Sequence, residues 1–365
     1  MRLGRVDGMT STELGSLTYP TTQPSVADVE QALALAVRAP SIHNTQPWRF
    51  VLTPDALELW ADRRRQLPTA DLDGRALLLS CGGALYLAGL GLATQRWRTA
   101  VERLPDPDEP DLLARVRFVG RHPADGPVPL LAAAAAERRH TERRPFGPGV
   151  VSTVLLDSLC AAIEDRALYG HVVTRPAERL DLAVAVSWAD GLEAGDPAFQ
   201  AELARWVRAD AETTGEGVST AAIPHVPAGQ PRHTEVPVRD FEIGAPGAQE
   251  LAGGAEEQDV DEQPAYLVLF SREDDAATRL RSGEAYARVS VEIERLGLAS
   301  SAITQALDTP GVRSRVRELM SWPDHPQMIL RIGWPPVGDR APQTPRRPVS
   351  DVLTVARPGD PAAPA

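Results

Sequence analysis

APSIHNTQPWRF, residues 39–50, is the stretch that decides the fold of this chain. Between its two prolines, Pro40 and Pro47, the polar side chains are those of Ser41, His43, Asn44, Thr45 and Gln46. Uncharged donors and acceptors on a loop stiffened by two prolines suit a heteroaromatic ligand with carbonyl and imine edges. We interpret His43 as a loop-packing residue, because no carboxylate or cysteine stands at metal-ligand spacing from it.

The flanking residues place this loop between a helix and a hairpin. Apolar residues three and four apart predict a helix over residues 26–37, with Ser25 as its N-cap and Pro40 after its end. Residues 48–52 and 57–61 alternate as two strands around a Pro-Asp turn. The stretch is therefore a helix-to-strand connection.

Residues 76–93 form an eighteen-residue run without a charge. Such a run is long enough for a membrane span. Its glycines dilute its hydrophobicity, and an all-apolar helix is also what the centre of a large core requires. We expect a core helix in which Gly82, Gly83, Gly89 and Gly91 allow a second helix to approach.

A weak repeat suggests two fused halves, residues 1–128 and 129–365. LGLAT at 90–94 recurs as LGLAS at 296–300, and RVRFVG recurs loosely as MILRIG at 328–333. We expect equivalent elements at both places. Chance similarity of short apolar words is the alternative.

Further helices are predicted in the second half, at residues 130–136, 151–163 and 180–206. The segment 215–264 instead combines many Gly, Pro, Glu and Asp residues with little apolar patterning. Loops of this length are usually functional lids or disordered. We expect a lid partly ordered around residues 238–243, with disorder as the alternative.

RRHTERRPF, residues 138–146, concentrates arginines in an acidic chain. Guanidinium groups bind phosphate oxygens in pairs, and a hydroxyl can complete the shell. The alternative to a phosphate site is a solvent-exposed arginine face at a helix end, without a ligand. Arg346 and Arg347 form a weaker second candidate for the same anion.

Composition narrows the possible functions. The chain has 365 residues, 43% hydrophobic and 24% charged, with a formal charge of -12, which argues against nucleic acid or anionic lipid as a partner. It contains no lysine, which excludes a GxxxxGK[ST] phosphate loop and a lysine Schiff base. Two cysteines are too few for a disulfide framework or a thiolate metal site, and the first twenty residues lack a signal-like apolar run. We expect a cytoplasmic protein with a small-molecule ligand and no bound metal.

The motif APSxxNxQPW followed by a strand resembles that of the nitroreductase superfamily, whose members bind FMN at a dimer interface. RHTER resembles the family's R-x-[ST]-x-[RK] flavin-phosphate motif. The similarity extends over most of the chain and is closest to the Acg-type subfamily, a single-chain pseudo-dimer. It implies an α+β fold of two half-domains with mostly antiparallel sheets flanked by helices.

The resemblance also implies site residues. It assigns Arg139, Thr141 and Arg143 to the FMN phosphate, and Ser41, Asn44 and Gln46 to the isoalloxazine. It places Thr304 and Gln305 where a backbone N–H meets flavin N5, although the family's usual acidic-glycine pair is missing here. Each half keeps only one of the two motifs, so one FMN site per chain is expected.

The function implied is a ping-pong oxidoreductase in which NAD(P)H reduces FMN, and a nitroaromatic or quinone-like acceptor is then reduced at N5. No catalytic side chain is required. Two alternatives stay open, an FMN-sequestering protein and an FMN-dependent oxidase or dehydrogenase of a specialised pathway. We expect a monomer or a weak homodimer.

Overall fold

A computed structural model describes residues 23–163, 165–223, 236, 239 and 263–356. Its helices are α1 Val26–Ala36, α2 Arg75–Thr94, α3 Leu130–Arg138, α4 Thr153–Ala161, α5 Pro176–Gly195, α6 Pro197–Trp206, α7 Ala211–Thr214, α8 Ala276–Arg295 and α9 Pro310–Leu319. Its strands are β1 Trp48–Leu52, β2 Ala56–Ala61, β3 Trp97–Arg103, β4 Leu112–Arg121, β5 Leu168–Val173, β6 Val207–Arg208, β7 Val218–Ser219, β8 Ala265–Ser271, β9 Ala299–Ile303, β10 His325–Gly333 and β11 Leu353–Val355.

Two mainly antiparallel sheets dominate the fold, which confirms the predicted α+β class. The first has the order β11-β1-β2-β4-β3 and the second β5-β8-β10-β9. Leaving β11 aside, the two orders are equivalent, and a 20-residue helix follows the second strand of each. The helices α5, α6 and α7 are inserted between β5 and β8.

The helices α2 and α8 pack against each other through glycine. A Cβ on Gly82 would lie 2.0 Å from the Leu280 carbonyl oxygen, and one on Gly283 would lie 2.0 Å from that of Leu79. The contact is reciprocal, as a two-fold relation between the helices requires. The expected close approach is thus confirmed at Gly82, whereas a Cβ at Gly89 would meet nothing within 4 Å.

The apolar helix α2 is a core helix. Among the described residues it is the one helix long and apolar enough to cross a membrane, but 83% of its apolar window is buried inside the protein. It packs between α1 and α8, beneath the first sheet. Its uninterrupted hydrophobicity therefore reflects contacts on every side.

The predicted repeat is partly wrong. Residues 90–94 end α2, whereas residues 296–300 lie beyond α8, where Gly297 turns with a φ of 74° into β9. The two words therefore occupy different elements, because a short apolar word fits a helix end as well as a strand start. The second word pair does fall in β4 and β10, which hold equivalent places in the two sheets.

The other local predictions largely agree with the structure. The helix α1 begins after a capping box formed by Ser25 and Asp28. The helix predicted over residues 180–206 is instead two helices, because Pro197 starts α6 and Asp196 caps it. Most of the expected lid lies outside the described residues, and within 238–243 only Arg239 is described.

The C-terminal strand crosses to the first sheet. The strand β11 pairs in parallel with β1, with Phe50 beside Leu353. The first sheet, whose other four strands lie within residues 48–121, therefore receives one strand from residues 353–355. This crossing brings residues 344–347 beside the loop at 39–46.

Candidate functional site

A large cavity is lined by residues from both sides of position 128 and encloses about 1120 Å³ of empty space, with solvent at its mouth included. Its walls come from the 40–44 loop, the start of α2, residues 139–143, α8, the end of β9 and the C-terminal crossing. The lining residues used below are Arg38, Ser41, His43, Asn44, Arg75, Leu79, Arg139, Thr141, Arg143, Arg239, Tyr286, Thr304, Asp308, Met328, Thr344 and Arg346.

The loop from Ser41 to Gln46 is strained. His43, Asn44 and Gln46 have φ values of 44°, 57° and 49°, in the left-handed region that non-glycine residues rarely adopt. The Ser41 hydroxyl accepts a hydrogen bond from the Gln46 backbone N–H at 3.1 Å and closes the loop. Strain of this kind persists only where the surroundings fix it.

The two amides of the loop supply that fixation. Asn44 Nδ2 donates to the carbonyl oxygens of Gly217 and Pro345, each at 3.0 Å. Gln46 Nε2 donates to the Gly215 carbonyl at 2.7 Å, and its Oε1 accepts from the Arg347 backbone N–H at 3.0 Å. Asn44 Oδ1 is buried and has no hydrogen-bond partner in the described part of the chain.

The arginines of the 138–144 segment divide into two groups. Arg138 pairs with Glu294 at 3.2 Å, and Arg144 forms a two-pronged ion pair with Glu142 at 2.7 and 2.8 Å. Burial alone would raise the pKa of Glu142, but hydrogen bonds from Arg144 and His140 outweigh it and lower that pKa to about 2. Arg139 and Arg143 line the cavity instead.

Four arginines converge on this end of the cavity, namely Arg38, Arg139, Arg143 and Arg346. Burial lowers the pKa of Arg346 well below its ordinary value, and the charges of Arg139 and Arg38 lower it further. The side chains of Arg139 and Arg346 donate to carbonyl oxygens such as that of Arg38, at 3.2 and 3.5 Å. Their Nε atoms are buried and have no hydrogen-bond partner among the described residues.

A second ionic cluster lines the cavity around Asp308. Arg239 donates to Asp308 Oδ2 at 2.5 Å and pairs with Glu193 at 2.9 Å. Thr304 Oγ1 also donates to Asp308 Oδ2, at 3.3 Å. Burial raises the pKa of Glu193 to about 8, against the opposing charge of Arg239.

The structure gathers most of the predicted site residues. Those on the cavity wall are Ser41, Asn44, Arg139, Thr141, Arg143, Thr304 and Arg346. Gln46, Gln305 and Arg347 do not line it, and Gln46 and Arg347 bond to each other behind the loop. The assigned contacts of all ten with the cofactor stay predictions.

His43, which we interpreted from the sequence as a loop-packing residue, also lies on the cavity wall. Its side chain is buried but lines the cavity. Burial lowers its pKa well below the ordinary value, and the charges of Arg239 and Arg143 act in the same direction, so the ring is neutral. Its position in the strained loop directs it to the cavity, which residue spacing alone does not reveal.

Sequence reasoning missed Arg38, Arg75, Arg239 and Asp308 on the cavity wall. Arg38 adjoins the 39–50 stretch and could have been included on that ground. The others belong to no motif and are brought together only by the fold. Within the described residues, no cluster of His, Cys, Asp and Glu could hold a metal ion.

Comparison with known proteins gives the family. The Mycobacterium tuberculosis protein named "Putative NAD(P)H nitroreductase Rv3131" is 36% identical over 335 residues, covering 90% of this chain and 92% of its own length. "Putative NAD(P)H nitroreductase acg" of the same species is 30% identical over 339 residues, covering 92% and 98%. The chain belongs to the nitroreductase family.

Other comparisons are weaker. No protein-family model matches the sequence. A Bacteroides fragilis nitroreductase crystallised with bound FMN matches with a TM-score of 0.37 at 10% identity, covering 62% of this chain and 98% of its own. An Anabaena variabilis protein described as a nitroreductase gives 0.43 at 10% identity, with coverage of 77% and 69%. The nitroreductase assignment therefore depends on the sequence relatives.

The cavity fits the flavin mononucleotide implied by the nitroreductase family. Buried donors without partners at the arginine end suit a phosphate, which brings two negative charges and several acceptor oxygens. The rest of the wall carries buried hydrogen-bond donors and acceptors without partners among the described residues, including the acceptor Asn44 Oδ1. Such atoms suit a ring edge that alternates donors and acceptors.

Proposed function

We propose that this nitroreductase is an FMN-dependent NAD(P)H oxidoreductase that holds one FMN in the cavity between its halves. The observation that carries the proposal is the cluster of Arg38, Arg139, Arg143 and Arg346, because buried guanidinium groups that repel each other require an anion. Its relatives are named as NAD(P)H nitroreductases, which supports the redox activity and the reductant.

At the arginine end, the chain would bind the phosphate. Arg139 and Arg346 offer their unpartnered Nε–H groups, and Arg143 adds a third charge. The hydroxyls of Thr141 and Thr344 on the same wall can complete the oxygen shell. Because Glu142 engages Arg144, no carboxylate of this segment competes with the phosphate.

In the rest of the cavity, the chain would orient the ring and exclude water. The 41–44 loop presents the Ser41 hydroxyl and Asn44 Oδ1, while neutral His43 adds a polar group without charge. Leu79 and Met328 line the same cavity and lower its polarity. We also keep the backbone at Thr304 and Gln305 as the candidate contact to N5.

When bound, FMN would supply hydride transfer at N5, taken from NAD(P)H and passed in a ping-pong order to a planar acceptor such as a nitroaromatic or a quinone. The chain then needs no nucleophile of its own. Its residues bind the phosphate, hold the ring and shield it from water. We assign no catalytic side chain.

We propose that the chain is a pseudo-dimer whose halves each contribute part of this single site. The equivalent strand orders of the two sheets and the reciprocal glycine contact of α2 and α8 support this reading. A cytoplasmic location, a small-molecule substrate and a monomeric or weakly dimeric state belong to the same proposal.

The test is the visible spectrum of the purified full chain, followed by addition of NADH or NADPH without oxygen. We expect a flavin band near one FMN per chain that either nicotinamide bleaches. Arg139→Gln should lose the band, and Arg138→Gln is the matched control because Arg138 faces Glu294 instead. A loaded flavin that neither nicotinamide reduces would refute the reductase and favour sequestration.

A further inference from the structure

Two buried atoms on the cavity wall near Asp308 lack hydrogen-bond partners among the described residues. One is a donor, Nε of Arg75, and the other is an acceptor, Oδ1 of Asp308. Their side chains are almost wholly buried, with exposed fractions of 2% and 1% for the two residues. Buried polar atoms without partners are uncommon in folded proteins, so such a pair needs an explanation.

Both side chains are fixed by the groups around them. Arg75 stands at the start of α2 and donates its NH2 group to the Gln327 carbonyl oxygen on β10. Asp308 is held through its other oxygen, Oδ2, by Arg239 and Thr304. The free atoms therefore cannot turn away toward other partners without breaking these contacts.

The two residues lie close enough for their charges to interact, and they come from opposite halves of the chain. One buried donor and one buried acceptor on the wall of the same cavity are complementary to a ligand edge with a carbonyl oxygen next to an N–H group. A simple anion would satisfy Arg75 but would be repelled by Asp308. The pair thus differs in kind from the arginine cluster that we assign to phosphate.

We propose that Arg75 and Asp308 form a recognition site for an amide edge, in which Arg75 Nε–H donates to the ligand's carbonyl oxygen and Asp308 Oδ1 accepts from its N–H. This inference rests on the proposed function, since two ligands of that reaction carry such an edge. They are the cyclic imide of the flavin ring and the carboxamide of nicotinamide.

The test uses the full chain and two variants, Arg75→Met and Asp308→Asn. In Asp308→Asn, Arg239 still needs an oxygen, so the amide nitrogen would face the cavity and replace an acceptor by a donor. FMN is titrated into the apoprotein, and nicotinamide is titrated into the FMN-loaded protein. We expect both variants to weaken the same ligand by about tenfold or more.

The ligand that is weakened identifies the source of the edge, flavin imide or nicotinamide carboxamide. Asp73→Asn is the matched control, because Asp73 is also paired with arginines and also has a buried oxygen without a described partner, but it does not line the cavity. Its two affinities should stay within about threefold of wild type.

Unchanged affinity for both ligands in a folded variant would overturn the inference, and so would equal losses in Asp73→Asn. Urea unfolding identifies which variants are folded, and either variant alone is sufficient. Failure of the proposed function is distinguishable, since it would appear as a wild-type chain that binds no FMN. The nicotinamide titration of the chain as purified then still tests the amide site.

Discussion

Arg143 and Arg144 are neighbours in one motif, and the structure predicts opposite effects when each is replaced by glutamine. Arg143 lines the cavity, where burial lowers its pKa from 12.5 to about 10. Arg144 lies at the surface side and binds Glu142 with two prongs. Removal of the Arg143 side chain should stabilise the apoprotein, whereas removal of the Arg144 side chain should destabilise it.

The magnitude for Arg143 follows from its pKa. At neutral pH the guanidinium is charged in both the folded and the unfolded chain. The free-energy cost of burying the charged group therefore lowers the stability of the folded state in full. A fall of the pKa from 12.5 to about 10 corresponds to roughly 3 kcal/mol, an upper limit because the side chain keeps some exposure. Lost packing and hydrogen bonds offset about 1 to 2 kcal/mol. We expect Arg143→Gln to stabilise the apoprotein by about 1 to 2 kcal/mol.

FMN binding should respond in the opposite direction. A lost charge-assisted contact to phosphate costs about 1.5 to 3 kcal/mol, so Arg143→Gln should weaken FMN binding at least tenfold. Arg144→Gln leaves Glu142 buried without its main partner and should destabilise the apoprotein by about 2 kcal/mol. Its FMN affinity should change little, because Arg144 does not line the cavity.

The assay is urea unfolding of both apoproteins combined with FMN titration by quenching of flavin fluorescence. The reasoning is refuted if Arg143→Gln destabilises the apoprotein and leaves FMN affinity unchanged. It is also refuted if the two variants weaken FMN binding equally, because the structure then misassigns which arginine faces the ligand.

Three further predictions concern stability. Gly82→Ala should lower the free energy of unfolding in urea by more than about 3 kcal/mol, because its Cβ would lie 2.0 Å from a carbonyl oxygen. Gly89→Ala should raise it by about 0.5 to 1 kcal/mol, because a Cβ there meets nothing within 4 Å. Equal effects of the two substitutions would contradict the helix contact. The pKa of Glu142 is lowered to about 2, so its contribution to the stability of the fold is present above about pH 4.5 and is lost as the pH falls toward 2. Glu142→Gln should therefore make the urea midpoint less dependent on pH over that range. An unchanged pH dependence would count against the ion pair. The pKa of Glu193 is raised to about 8, so its contribution to the stability of the fold is present below about pH 4.5 and is lost as the pH rises through 8. The free energy of unfolding should fall over that range in the wild type but not in Glu193→Gln. The same pH dependence in both proteins would contradict the raised pKa.

The sequence predicts what is decided locally. The helix α1 and the strands β1 and β2 follow from a capping box, apolar alternation and a Pro-Asp turn, all within a few residues of each other. The strand β3 is missed because its exposed positions carry arginine, alanine and glutamate, which are not typical of strands. The repeated sequence LGLA misleads because it suits both a helix and a strand. Patterns of this length do not distinguish the two.

The site divides in the same way. Motifs identify Arg139, Thr141 and Asn44, since their residue types stand at characteristic spacing. Arg75 and Asp308 stand in no motif and more than 200 positions apart along the chain. Only the packing of α2 against the second half brings them to one wall, so their shared role follows from tertiary structure alone.

The arginine cluster also depends on both halves, which links binding to the completeness of the fold. Arg38 follows α1, Arg139 follows α3, and Arg346 arrives with the C-terminal crossing that ends in β11. Arg346 is positioned against Gly215, where a Cβ would lie 2.7 Å from the Arg346 carbonyl oxygen and φ is 70°, so no larger residue fits there without strain. Three mutually repelling charges are thus held together by contacts far apart in sequence. An anion bound among them would offset their repulsion and tie the first half, the second half and the C-terminal strand together, so FMN should stabilise the whole chain rather than one half.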